Sequence, residues 1–421
     1  MCRAVFAVVV IVIGLMAGCA SNGTPTTRPA TTQSTAAASN ELPPTPSVQY
    51  LTLLQERIKH TREQMPQLTA SAEAAAKRVV GGRHLYVAGS QLEADFPKEM
   101  VTRAGGLMGI APPPKLLDRG DVVLYAAPSK IKVGDQVKIT HWREQGAYVI
   151  AFASKNLSDN KYFPPDALID SGDSEGLTLK DGTLCPVDTV INVVNAWAWT
   201  GEFVSACTRL GKMPVLFQSY WRPGGLERAN QYRGRMFHYP MPPGVGPIAA
   251  GELGGGYLAE ITCCIEELKR ESCPAAFPSA GRWVRERGTL AAALLVDGHM
   301  FPEHYQDVRA PRPFANMSFP LRSPPPNYPP LVLLIGYQNP AQLIIDASYI
   351  YRRKLIYTSV QRGRDDNGEN IIYIDPHWPM DDGCVQPQGY DIPILPASGV
   401  AQAAIYWSIL AESVGVPATT H

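Results

Sequence analysis

Glu202 lies in a helical stretch, from about Asp188 to Leu210, that is apolar nearly all round. It shares one face of that stretch with Asn195; at 100° per residue the two fall within ~20° of each other. A carboxylate in such surroundings needs partners or a cleft. A desolvated glutamate also suits the work of a general base that moves a proton between adjacent carbons. The alternative reading is a helix-end glutamate paired with an arginine of a neighbouring domain. Pro186, Asp188 and Thr189 open the same stretch, and the free N–H groups of a helix start can hold an anion. Pro396, Ser398 and Gly399 repeat that arrangement, although capping alone would also account for these residues.

Other candidates end short apolar segments. Ser90, Ser129 and Ser171 each follow one, and Lys130 stands next to Ser129 as a charge partner. His299 and His377 follow two more and are expected to line a cleft. His304, Asp375, Asp381, Asp382 and Cys384 have metal-ligand chemistry but no recognised metal spacing, so neither a metal nor another cofactor is expected. Arg222 or Arg228 could grip a phosphate or carboxylate bidentately; a solvated surface turn is the other reading.

These residues are set out by a repeat. Cys185-Pro186-Val187-Asp188-Thr189-Val190 opens a segment running through Trp197 to Glu202, and Leu395-Pro396-Ala397-Ser398-Gly399-Val400 opens one running through Trp407 to Glu412. Proline, tryptophan and glutamate recur with a common offset of 210 residues. Such self-similarity predicts two copies of one domain, assigned to 48–240 and 241–421. In each copy short apolar strands alternate with helices, at 84–88, 121–125, 147–151 and 167–169, then 292–296, 331–335, 355–358 and 371–374. Val215-Leu216-Phe217 is a further candidate strand. This alternation predicts an α/β fold of two tandem αβα domains, each with a parallel sheet covered on both faces. Ligands of such sheets sit beyond the strand carboxyl ends.

Composition narrows the partners. Lys plus Arg and Asp plus Glu both number 38 in 421 residues. With no basic stripe or zinc-finger spacing, no nucleic-acid partner is expected. Residues 1–19 read as an export signal, with Arg3 before an unbroken apolar run from Ala4 to Met16. That run is shorter than the ~20 residues needed to span a bilayer. Met16-Ala17-Gly18-Cys19 is similar to a bacterial lipobox, which implies cleavage before Cys19 and lipid on its sulfur. Residues 20–47, rich in Thr, Ser, Ala and Pro, read as a disordered tether. Six cysteines follow Cys19 without a CxxC motif, and packed free thiols are expected.

One resemblance gathers these features. The runs Gly81-Gly82-Arg83-His84-Leu85-Tyr86-Val87-Ala88-Gly89-Ser90 and Arg119-Gly120-Asp121-Val122-Val123-Leu124-Tyr125 resemble a sugar isomerase (SIS) domain. So does the stretch from Pro186 through Glu202 to Gln218-Ser219. The resemblance covers roughly residues 50–240 and reaches the second half through the repeat. It implies a flavodoxin-like, three-layer αβα fold with a five-stranded parallel sheet, and a sugar or phosphosugar ligand often held between two such domains. The family's Ser-x-Ser-Gly-x-Thr phosphate loop follows the second strand. Here that place holds Ala127-Pro128-Ser129-Lys130-Ile131-Lys132, so only Ser129 carries over. The family's isomerases use a glutamate base, which makes Glu202 the catalytic candidate. The leading expectation is therefore a lipid-anchored, extracytoplasmic protein that binds a sugar or sugar-phosphate derivative without turnover. A phosphosugar aldose–ketose isomerase and a structural envelope protein are the competing expectations. A homodimer is an open expectation.

Overall fold

The computed structural model describes residues 44–415 apart from 94–95, 102, 130–132, 158–164, 221, 273–275, 288–291, 297–314, 317–329, 337–341, 364–368 and 379–382. The export signal, Cys19 and the tether as far as residue 43 lie outside the described residues, as do Lys130, Cys273, His299, His304, Asp381 and Asp382.

The first half opens with α1 (Pro46–Glu63), so the folded chain begins inside the stretch read as tether. Pro46 takes the first turn and Thr45 accepts the Val48 N–H. A break at Gln64 leads to α2 (Met65–Val80), with Pro66 tolerated in its first turn. Then come β1 (Leu85–Gly89), the short α3 (Phe96–Met100), β2 (Val122–Ala126), α4 (Val133–Glu144), β3 (Tyr148–Ala153) and β4 (Ala167–Asp170). A small hairpin of β5 (Gly176–Thr178) and β6 (Leu184–Pro186) delivers the chain to α5 (Asp188–Arg209), and α6 (Gly225–Gln231) lies in the connection. The second half runs α7 (Glu252–Glu267), α8 (Ala276–Arg287), β7 (Ala292–Val296), β8 (Ala315–Asn316), β9 (Leu331–Ile335), α9 (Gln342–Ile350), β10 (Lys354–Thr358), β11 (Ile371–Tyr373) and α10 (Ser398–Val414).

Both sheets are parallel and share one order. The first is β1-β2-β3-β4, with Ala111 bridged in parallel to Tyr86 at the free edge of β1. The second is β8-β7-β9-β10-β11, so β8 occupies the edge that Ala111 marks in the first. Counted in chain order this is 2-1-3-4-5, the doubly wound arrangement expected of a flavodoxin-like fold. Val215–Phe217, by contrast, joins neither sheet. Leu216 and Pro214 make isolated antiparallel bridges to Leu107 and Phe237, because the connection folds back over the loop after α3.

Alternation along the strands decides which layer each side chain enters. Leu124 and Ala126 of β2, with Leu331, Leu333 and Ile335 of β9, face a single shared core. That core also takes the buried faces of α1, α2, α5, α7, α8 and α10. Val123 and Tyr125 face outward onto Ile139 and Trp142 of α4, while Val332 and Leu334 face outward onto Ile344 and Ile345 of α9. The two expected αβα halves are thus fused through a common middle layer of helices, and the described residues from 44 to 415 form one compact unit. Trp197, Trp199 and Trp407 are fully buried in that layer. Each removes some 150–250 Å² of surface from water, or about 4–6 kcal/mol of burial. Among the described residues no helix is long and apolar enough to cross a membrane.

Candidate functional site

Each sheet has a switch point. After β1 the chain turns to the outer edge, and after β2 it turns the other way, so the ends of these strands are where a doubly wound sheet has its ligand crevice. In the first half this crevice is sewn together by acidic side chains. Ser90 closes the turn after β1, its hydroxyl accepting the N–H groups of Leu92 (3.2 Å) and Glu93 (3.1 Å). The Asn192 amide of α5 donates to Glu93 Oε1 (2.8 Å) and to the Ala127 carbonyl at the end of β2 (2.8 Å). Asp135 of α4 accepts the Gln91 N–H at 3.1 Å. Ser129 donates both its N–H (3.0 Å) and its hydroxyl (2.9 Å) to Asp188 Oδ2, and Asp188 Oδ1 accepts the Thr189 N–H at 2.8 Å. Glu93, Asp135 and Asp188 are all fully buried. Burial first, and then the Asp135 charge, pushes the Tyr125 phenol well above its ordinary value, so it stays protonated beside them.

The crevice brings together Ser90, Ser129 and Thr189 of the expected residues. It also contains Glu93, Asp135, Asp188 and Asn192, which the sequence reading did not place in a ligand site. Thr189 Oγ1, Asn192 Oδ1 and the neighbouring Ser171 Oγ are buried and find no hydrogen-bond partner among the described residues. Ser171 and Asn195 lie one step along, at the end of β4. There Asn195 donates to the Asp170 carbonyl (3.4 Å) and accepts the Thr61 hydroxyl of α1 (2.6 Å). His60 reaches the Asp170 carboxylate at 2.9 Å.

Glu202 sits elsewhere. It lies fully buried at the crossing of α5 and α7 and accepts Thr69 Oγ1 (2.7 Å), Gly251 N–H (2.8 Å) and Gly254 N–H (3.2 Å). Its geometry is that of a cap on the first turn of α7. Gly254 permits the approach, since a Cβ there would lie 2.7 Å from Ala198 O and 2.9 Å from Glu202 Oε1. Glu412 mirrors it. From α10 it accepts the N–H (3.0 Å) and hydroxyl (2.6 Å) of Ser47, in the first turn of α1. Each repeated glutamate therefore closes the first helix of the opposite half. One signal could have exposed this: Tyr50, Leu51, Leu54 and Ile58 of α1 recur in α7 as Tyr257, Leu258, Ile261 and Ile265, all buried.

In the second half, Ser398 stands where Asp188 stands in the first, and Gln402 reaches the Gly336 carbonyl after β9 (3.4 Å) as Asn192 reaches Ala127. His377 occupies the left-handed position (φ 53°) that Gly172 holds in the first half (φ 87°). Each donates its N–H at 2.9 Å to the aspartate two residues before it, Asp375 or Asp170.

Neither the anion-clamp expectation for Arg228 nor its surface-turn alternative describes that residue. It is buried, donating to Asp391 (2.5 Å), Tyr390 OH (2.6 Å) and the Leu216 carbonyl (3.1 Å). The exposed carboxylate of Asp391 pairs with the guanidinium and ties the connection to the loop before α10. His238 completes the network at 2.9 Å from Tyr390 OH. Burial and then Arg228 pull its imidazole down to about 4, while burial outweighs Arg228 and lifts Tyr390 to about 12. Cys185, Cys207, Cys263, Cys264 and Cys384 are free thiols. Burial raises the thiols of Cys185, Cys207, Cys264 and Cys384 above the ordinary range, which makes them poor nucleophiles. Among the described residues no cluster of three or more His, Cys, Asp or Glu could hold a metal ion.

No family model and no curated protein matches the chain. Among solved structures it is similar to a protein provisionally described as sugar binding from Salmonella typhimurium LT2, at 10% identity and a TM-score of 0.47, covering 87% of this chain and 100% of that one. It is also similar to a provisionally described phosphosugar isomerase from Silicibacter pomeroyi DSS-3, at 9% identity and a TM-score of 0.47, covering 88% and 97%. A third is the C-terminal domain of glucosamine-fructose-6-phosphate aminotransferase from Francisella tularensis, at 8% identity and a TM-score of 0.44, covering 85% and 94%. The fold assignment rests on this chain's own strand order: two parallel α/β sheets of one topology, doubly wound and fused back to back.

Proposed function

We propose that this protein binds a sugar or sugar derivative, without turnover, in the crevice at the strand carboxyl ends of its first half. The observation that carries the reading is the bond pair from Ser129 to Asp188. The N–H and hydroxyl that would cradle a phosphate are already given to an internal carboxylate. What the crevice offers a ligand is amide and hydroxyl oxygen, from Asn192 Oδ1 and Thr189 Oγ1. Such groups pair with the hydroxyls of a neutral sugar better than with an anion. The absence of turnover is supported by Glu202, whose carboxylate is engaged by three donors at the helix crossing rather than held near the strand ends.

A thermal-shift screen of neutral sugars, amino sugars and sugar phosphates tests the reading, because a ligand selective for the folded state raises its melting temperature. Stabilisation by a neutral sugar or amino sugar is expected. Exchange of substrate hydrogen with solvent would instead establish an isomerase, and no response across the screen would favour a structural envelope protein. The same reading places the protein outside the cytoplasm, held to a membrane through lipid on Cys19. It is supported by Arg3, the apolar run from Ala4 to Met16 and the Met16-Ala17-Gly18-Cys19 motif. Mass spectrometry of the mature terminus, compared with Cys19→Ser, decides that part; an unmodified terminus would reject it.

A further inference from the structure

Asp188 imitates a bound anion. One of its oxygens takes two donors from Ser129, at 3.0 and 2.9 Å, and the other takes the Thr189 N–H at 2.8 Å. It does so at the start of a 22-residue helix, where exposed N–H groups and the helix dipole favour negative charge. The side chain is fully buried, and the adjacent Thr189 hydroxyl, 1% exposed, has no partner among the described residues. These are the elements of an oxyanion cradle: a main-chain N–H and a hydroxyl from one loop, a helix start, and a spare hydroxyl. The charge that fills the cradle is the protein's own.

We infer that Asp188 is the specificity-determining residue of the first-half crevice: its carboxylate excludes phosphorylated ligands, and its removal converts the crevice into an anion site. The inference rests on the placement of the ligand crevice proposed above. A phosphate oxygen brought to Ser129 would have to displace a buried carboxylate from its donors, or lie a few ångströms from a like charge in a poorly solvated setting. The second half supplies the internal contrast. There Ser398 takes the place of Asp188, while Gln402 keeps the carbonyl contact made by Asn192. The halves retain one scaffold and differ in the charge at the helix start.

The test is titration with inorganic phosphate, by calorimetry and by thermal shift, on the parent, Asp188→Ser, Asp188→Asn, and Asp188→Ser combined with Ser129→Ala. Asp188→Ser copies the second half. Asp188→Asn is isosteric and decides the question if the serine variant folds poorly. Both single variants are expected to bind phosphate at least about tenfold more tightly than the parent, in keeping with donors freed for charge-assisted bonds. The added Ser129→Ala change is expected to abolish that gain, which locates it in the first half rather than at Ser398. Folded Asp188 variants that respond to phosphate as the parent does would overturn the inference, and so would a gain that survives Ser129→Ala. Phosphate gained by the variants without any sugar bound by the parent would defeat the sugar reading alone. Sugar bound by the parent without phosphate gained by the variants would defeat this inference alone.

Discussion

Glu202 and Glu412 hold equivalent places in the two halves, yet they are not equally committed. Glu202 is fully buried and takes three donors from two helices, Thr69 of α2 and Gly251 and Gly254 at the start of α7. Glu412 is 9% exposed and takes two donors, both from Ser47. Both serve one purpose, which is to fasten the first helix of the opposite half. What the halves share, the tryptophans and these glutamates, is architecture. Where they differ is at the strand ends, Asp188 against Ser398 and Gly172 against His377. A feature repeated in both halves answers a packing demand made twice. A feature present once is the better candidate for ligand chemistry, because nothing in the duplicated scaffold requires it.

This contrast can be attacked at several points. Trp197→Ala and Trp407→Ala should have the largest effect, each destabilising the protein by about 3–5 kcal/mol in urea unfolding, since both rings fill the shared layer. Costs that differ by more than about 2 kcal/mol would break the equivalence of the halves. Next, Glu202→Ala strands one buried and one part-buried main-chain N–H and a hydroxyl, and should cost about 3 kcal/mol. Glu412→Ala, with one N–H and one hydroxyl, should cost about 1–2 kcal/mol. The reverse order would falsify the claim that Glu202 is the tighter interlock. If Glu202→Gln abolished a solvent hydrogen exchange measurable in the parent while leaving stability unchanged, the glutamate would be a base after all.

The third test is pH. In the folded protein burial and Arg228 hold His238 near 4, below its ordinary value of about 6.5. Between those values the unfolded chain binds a proton that the native state refuses, so stability should fall as pH drops from about 6.5 to about 4. A loss of about 2 kcal/mol over that window is expected. His238→Gln should flatten that part of the profile, and an unchanged slope in the variant would remove His238 as the cause. The smallest effect concerns the left-handed turn. Gly172→Ala should cost about 1 kcal/mol, because φ is 87° there and the new Cβ would meet the Arg57 guanidinium. His377→Gly at the matching turn should be neutral or stabilising by a few tenths of a kcal/mol. A larger loss would mean that the imidazole is held by packing the backbone comparison does not capture.

Much of the fold was legible because its signals are local. The strands ending at Gly89, near Ser129 and at Asp170 are short apolar runs stopped by glycine, proline or polar residues, and they appear within a residue or two of their expected bounds. The helix carrying Trp197 was equally plain, since its length and composition admit little else. Less of the site was legible. Ser90, Ser129 and Thr189 do meet at one crevice, but from sequence Asp188 is only part of a helix start or its cap, and its service to Ser129 depends on two segments 59 residues apart in the chain. The helix at 276–287 carries little terminal signal in its own sequence and is supported by its packing against α10.

By itself the sequence determined the duplication, the parallel sheets and the positions of their strand ends, all of which follow from periodicity and breaker residues within short windows. Only the tertiary structure decided that the two halves fuse through one helical layer, that the repeated glutamates bind across to opposite halves, and that Arg228 is buried against Asp391 rather than free for a ligand. The physical reason is the same in each case. A buried charge takes its role from whichever partners are folded against it, and for Glu202, Glu412 and Arg228 some or all of those partners come from the opposite half.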